Sequence, residues 1–310
     1  QWSRPSTALL APVALAGSGF WMIHGLTVRP DVPMTTLVLA GWLLFTMGRR
    51  RRSLGLMVGA GLAWGFGTAL LLKAALAVFP AGLLLLADVL RRSDARREAL
   101  LLGLGCLGGL LLPLGAFVAW TASQGLLGPF WFWVVEFNAS YLRPSVTDPG
   151  FGVGEVLAES APRDTALLVV AAVGLLPALL ESRGDGVMVA MLGYAGLVLL
   201  STLRINQPNY QYLLPALTLL PILGAAGIDG LAARVRRRRA AWSPWVPPAA
   251  LAVTALLSFG ALRWVHTLPD NAAQIARMER VLELVPPGRT LLAAPPTHPI
   301  LRRDALYLWF

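Results

Sequence analysis

Cysteine and lysine are almost missing from this sequence. One cysteine, Cys106, and one lysine, Lys73, occur in 310 residues. A single cysteine excludes a disulfide framework and a metal site built on thiolates. Charge is scarce too: 14% of residues are Asp, Glu, Lys or Arg, against about 25% in a soluble domain. No glycine loop ends in Lys-Ser or Lys-Thr, which argues against ATP hydrolysis. His-Glu-x-x-His and Gly-x-Ser-x-Gly are also absent, so the usual zinc-protease and hydrolase patterns are not available.

What the sequence has instead is apolar length. Hydrophobic residues make up 56% of the chain and mean hydropathy is +0.64. Runs of Leu, Ala, Val and Gly recur at roughly 6–23, 32–48, 54–71, 74–90, 99–121, 165–181, 187–203, 211–229 and 246–264. Each is long enough to cross a hydrocarbon core of about 30 Å as a helix. Within lipid the backbone must satisfy its own hydrogen bonds, which leaves helices or a closed barrel. The runs show no period-two alternation, so a barrel is excluded. The expected fold is an all-α polytopic membrane protein of about nine spans, occupying 1–265.

The net charge is +10. In a soluble protein that would point to nucleic acid, but the arginines sit in short clusters between apolar runs, where they orient membrane helices. Arg4, Arg49 to Arg52, Arg91, Arg92, Arg96, Arg97, Arg183, Arg234 and Arg236 to Arg239 all fall on one side if the spans alternate. The positive-inside rule makes that side cytoplasmic. Residues 122–164 then form an outer loop, whose Phe130-Trp131-Phe132-Trp133 run suits the headgroup layer. Residues 266–310 are expected to begin an outer soluble α/β domain. Its first elements would be an amphipathic helix over Ala276–Val285 and a buried strand at Thr290–Ala294. The chain reads as a fragment, open at both ends. Abundant Arg and Ala beside a single Lys suggest a bacterium with a GC-rich genome, and the expected location is its inner (plasma) membrane.

Polar residues at the outer ends of membrane helices are the informative ones. Asp31 opens the second span; it is either a helix N-terminal cap or a carboxylate at an interfacial cavity, for metal or substrate. Lys73, between the third and fourth spans, either snorkels or pairs with a phosphate. Glu136, Asn138, Ser140, Tyr141 and Arg143 lie within two helical turns, and Glu136, Ser140 and Arg143 would share one face of an α-helix. They are either a solvated loop or a site. Arg204 to Tyr212, with Tyr210, opens the eighth span and offers amide, phenol and guanidinium groups.

Four segments carry a family resemblance. Val28-Arg29-Pro30-Asp31-Val32-Pro33 resembles a second outer loop whose Asp contributes to an active site. Gly67-Thr68-Ala69-Leu70-Leu71-Leu72-Lys73-Ala74 resembles a span ending in Thr-Lys-Gly. Phe132–Tyr141 resembles an aromatic-aromatic-x-x-Glu-His-x-x-Arg-Phe segment, with Asn138 for the histidine and Ser140-Tyr141 for Arg-Phe. Tyr210–Leu217 resembles a Tyr-Leu-Leu-Pro-Ala-Leu-Pro stretch. In this order they resemble the GT-C membrane glycosyltransferases, the bacterial relatives of protein O-mannosyltransferase and of the aminoarabinose transferase. That family's main catalytic carboxylate lies in a first outer loop that this chain lacks, and a fragment without it is expected to be inactive alone.

The resemblance implies a sugar transferase that uses a polyprenyl-phosphate-linked donor and a lipid, glycan or protein acceptor on the outer face. Asp31 and Glu136 would be its catalytic carboxylates. Lys73, Arg204, Arg29, Asn138, Tyr141 and Tyr210 would bind substrate. A divalent metal on Asp31 is an optional cofactor. The alternatives are a flippase of lipid-linked sugars, which would place polar residues deep in several spans, or a non-catalytic membrane scaffold.

Overall fold

The computed structural model describes residues 5–19, 21, 30–91, 96–137, 139, 164–181, 186–203, 213–238, 244–265, 276, 279–280, 283–284, 290–291 and 303–304. The chain divides into two compact units, Gln1–Trp264 and Val265–Phe310.

The first unit is helical. It begins with α1 (Pro5–Ala8) and α2 (Leu10–Ala16). The sequence predicts one continuous helix over 6–23, and the structure differs. Pro12 has no N–H to offer the carbonyl of Ala8, and the helix breaks at Leu9. It ends at Gly17. There follow α3 (Asp31–Arg51), α4 (Leu54–Leu70), a 3-10 turn (Leu72–Ala77), α5 (Val78–Arg91) and α6 (Arg96–Ser123). A short α7 (Leu127–Trp131) continues as a π-helical turn (Phe132–Phe137). Then come α8 (Thr165–Glu181), α9 (Val187–Leu203), α10 (Leu214–Arg238) and α11 (Val246–Val265).

Four helical stretches are long and apolar enough to cross a membrane: Asp31–Arg51, Leu72–Arg91, Arg96–Ser123 and Leu214–Arg237. At 1.5 Å per residue the 21 residues of α3 reach about 31 Å. These four mark the chain as a membrane protein. The apolar helices Leu54–Leu70, Thr165–Leu180, Val187–Thr202 and Val246–Gly260 are shorter.

Local chemistry sets the α3–α4 corner. Arg52 adopts a left-handed conformation (φ 52°) and donates its N–H to the Gly48 carbonyl. Ser53 then caps α4 by accepting from the Leu56 N–H at 3.4 Å. In lipid, helices gain little from burying apolar surface and rely on close packing, which small residues permit. At Gly61 of α4 a Cβ would stand 2.0 Å from the Cys106 carbonyl of α6, and at Gly109 of α6 it would stand 2.2 Å from that of Val58. A second contact of this kind joins α8 and α10, where a Cβ on Gly227 would fall 1.6 Å from the Gly174 carbonyl.

The largest core cluster draws on α3 to α6 and α8 to α10, and its largest side chains are Trp42, Phe45, Trp64 and Tyr194. The Trp42 and Trp64 rings meet edge to face at 5.3 Å, a favoured aromatic geometry. Trp64 also donates its indole N–H to the Val38 carbonyl at 3.2 Å. By contrast, α5 and α6 turn rows of exposed leucines outward, Leu86, Leu90, Leu104 and Leu112 among them, as a lipid-facing surface does.

In the second unit, residues 276, 279–280 and 283–284 are helical, and Arg280 pairs with Glu283 at 2.8 Å. Thr290–Leu291 (β1) pairs in parallel with Arg303–Asp304 (β2).

Candidate functional site

Asp31 is the first residue of α3 and is 4% exposed. Asp31 is not the helix cap: Pro30 holds the N-cap position, and it makes no side-chain cap bond. The carboxylate Oδ1 instead forms a short charge-assisted bond with the Lys73 ammonium. Lys73 reaches it because α4 stops at Leu70. Leu71 is extended (φ −150°, ψ 124°), and the chain then winds as the 3-10 turn that carries Lys73. The lysine side chain is 17% exposed, so it is not an ammonium reaching freely into water.

The floor under the pair is apolar. Met34, one turn into α3, and Ala74 and Ala77, on the turn, are all fully buried. Gly67 of α4 sits beside them; a Cβ there would lie 3.3 Å from that of Ala74. Thr68, part of the Thr-Lys-Gly resemblance, donates its hydroxyl to the Trp64 carbonyl at 2.8 Å. That bond runs one turn back along its own helix. Asp31 also gains from the positive end of the α3 dipole.

The described surroundings of Asp31 fit an ammonium better than a metal ion. The Lys73 charge opposes a second cation on the same carboxylate. Among the described residues no three His, Cys, Asp or Glu side chains gather in a way that could hold a metal.

A second buried carboxylate lies at the same end of the bundle, and the sequence reading passed over it. Asp164, 1% exposed, precedes α8 and accepts a hydrogen bond from the Ser18 hydroxyl. Ser18 in turn accepts the Trp21 N–H at 3.0 Å. One apolar cluster, which includes Leu167 and Leu214, has both Trp21 and Val32, the neighbour of Asp31, packed against it. The available signal was Arg163-Asp164-Thr165 directly before an apolar run, a helix-start pattern.

The remaining candidates divide in two. Glu136 is exposed in the π-helical turn; Ser140 and Arg143, with which an α-helix would align it, lie outside the described residues. Arg29, Asn138, Tyr141, Arg204 and Tyr210 lie outside the described residues.

At the opposite end, Arg49 of α3 grips Asp88 of α5 through two bonds, 2.5 and 2.8 Å. Arg52 pairs with Glu98 of α6 at 3.0 Å. Thr7 donates to Asp229 of α10 at 2.8 Å. These groups bind helix ends together.

Comparison with protein-family models, curated proteins and solved structures found no match.

Proposed function

We propose that the chain is part of a GT-C-type membrane glycosyltransferase that takes a sugar from a polyprenyl-phosphate donor at the end of the bundle holding Asp31 and Lys73. The observation that carries this reading is the Asp31–Lys73 pair. Two residues singled out separately from the sequence, and both matched by the family resemblance, meet at the start of α3.

In the proposed reaction the acceptor oxygen bonds to the anomeric carbon as the bond from that carbon to the phosphate oxygen breaks. The polyprenyl phosphate leaves with the electron pair, and the acceptor's proton passes to a carboxylate. The Lys73 ammonium supports charge on the departing phosphate, where a preorganised cation acts most strongly. A phosphate bound to Lys73 competes with Asp31 for the ammonium. Asp31 is thereby freed to orient or deprotonate the acceptor. Glu136, Arg29, Asn138, Tyr141, Arg204 and Tyr210 are proposed to line the sugar path. Nine spans, an outer α/β domain after 265, and an arginine-rich face toward the cytoplasm complete the proposal.

The test uses a photo-crosslinking polyprenyl-phosphate analogue on the purified chain. Labelling that competes with polyprenyl phosphate and falls at least tenfold in Lys73→Ala, with folding retained, is the expected result. Equal labelling of Lys73→Ala and the unsubstituted chain would remove Lys73, and with it this reading.

A further inference from the structure

α6 is longer than a membrane core is thick. At 1.5 Å per residue its 28 residues extend about 42 Å, against roughly 30 Å of hydrocarbon and 40–45 Å with both headgroup layers. Arg96 and Arg97 open the helix and belong at one headgroup layer, so Thr121 to Ser123 reach the opposite one. There the chain turns at once. Gly125 is left-handed (φ 70°). The N–H groups of Gly125 and Leu126 close the helix on the Ala122 and Thr121 carbonyls at 2.9 and 3.0 Å, a glycine stop that satisfies the last carbonyls. α7 follows directly. Phe117 of α6 meets Trp120 at 6.0 Å and Phe130 of α7 at 5.7 Å, so ring contacts hold α7 beside the end of the span. Around that contact the surface is apolar and uncovered: Trp120, Leu126, Leu127, Trp131 and Val135 are each between 37% and 57% exposed. No charged residue occurs from Ala99 to Val135.

We infer that α7 is an interfacial anchor that binds the bilayer at the boundary of headgroups and acyl chains, through Trp120, Leu126, Leu127 and Trp131, without regard to lipid charge. The length of α6 delivers α7 to that depth, and the Gly125 turn with the Phe117–Phe130 contact keeps it there. Tryptophan suits this layer because its ring is apolar and its N–H is polar. In water the same residues would form an apolar patch with nothing to cover it. Interfacial binding draws on apolar area and on attraction between basic residues and anionic lipid. This segment has no basic residue, so only the apolar contribution operates. The inference rests on α6 as a membrane span and does not depend on the glycosyltransferase reading.

The experiment places the chain in phosphatidylcholine nanodiscs and attaches one nitroxide at a time to Leu127→Cys or to Leu112→Cys, in a Cys106→Ala background. Collision with oxygen and with a water-soluble nickel chelate gives the depth of each label. The Leu127 label should lie about 5–10 Å into the boundary, with the Leu112 label of α6 deeper. Adding phosphatidylglycerol should leave both depths unchanged. In W120A/W131A the Leu127 label should move out into water while the Leu112 label keeps its depth, which shows that the variant is still inserted and folded. A Leu127 label as open to nickel as a free nitroxide overturns the inference. So does one shielded from both oxygen and nickel, which would mean that protein, such as a second copy of the chain, covers α7. A depth reached only with phosphatidylglycerol, or one unchanged in W120A/W131A, also overturns it.

Discussion

Asp31 at the start of α3 and Lys73, 42 residues later on the turn between α4 and α5, form an ion pair over a fully buried apolar floor. The pair fastens the beginning of one helix to the break between two others. Removing one partner leaves a nearly buried charge uncompensated, which costs about 3 kcal/mol or more, whereas removing both is milder. Asp31→Asn and Lys73→Met should therefore each lower thermal stability in detergent, and the double variant should lie above the worse single one. Strict additivity of the two effects would show that the pair is not coupled.

The glycine contacts give a sharper packing test. Gly109→Ala puts a methyl group against the Val58 carbonyl and should destabilise by about 1–3 kcal/mol through forced separation of α4 and α6. Gly108→Ala, one residue earlier, meets nothing within 4 Å and should be neutral or slightly stabilising, since alanine favours helix by about 0.5–1 kcal/mol. Detergent melts of the two variants side by side decide this; equal effects would mean the helices are not in backbone contact.

Orientation can be read by cysteine labelling, because Cys106 is buried and gives little background. In intact cells, a membrane-impermeant maleimide should label Gln124→Cys. It should reach Arg97→Cys only after permeabilisation. Both positions are exposed at opposite ends of α6. The reverse pattern would invert the proposed topology.

Within the aromatic cluster, Trp64→Phe removes the bond to the Val38 carbonyl and part of the Trp42 contact. A loss of about 1–3 kcal/mol is expected from the vacated volume and the lost hydrogen bond. Near-UV circular dichroism should lose intensity in step with the melting temperature. An unchanged melt would mean that this cluster does not hold α3 to α4.

Most helices from α3 onward were legible in the sequence to within a few residues, because hydropathic length, proline and arginine boundaries are local properties; α10 is the exception, running to Arg238, nine residues past the apolar run at 211–229. The sequence predicts helices at 165–181 and 187–203, and α8 and α9 occupy those residues. Asp31 and Lys73 were also visible as candidates, since Asp31 opens an apolar run and Lys73, the one lysine, separates two others. Their partnership was not. It depends on where α4 stops and how the following turn is directed, and no local pattern specifies a contact across 42 positions. The same holds for Ser18 with Asp164, 146 residues apart, and for the glycines that let α4 meet α6. Hydropathy alone determined that this chain forms apolar helices and which ends carry its positive charge. Only the tertiary structure decided which helix faces touch, because in lipid that choice rests on side-chain volume and backbone approach, to which a hydropathy pattern is blind.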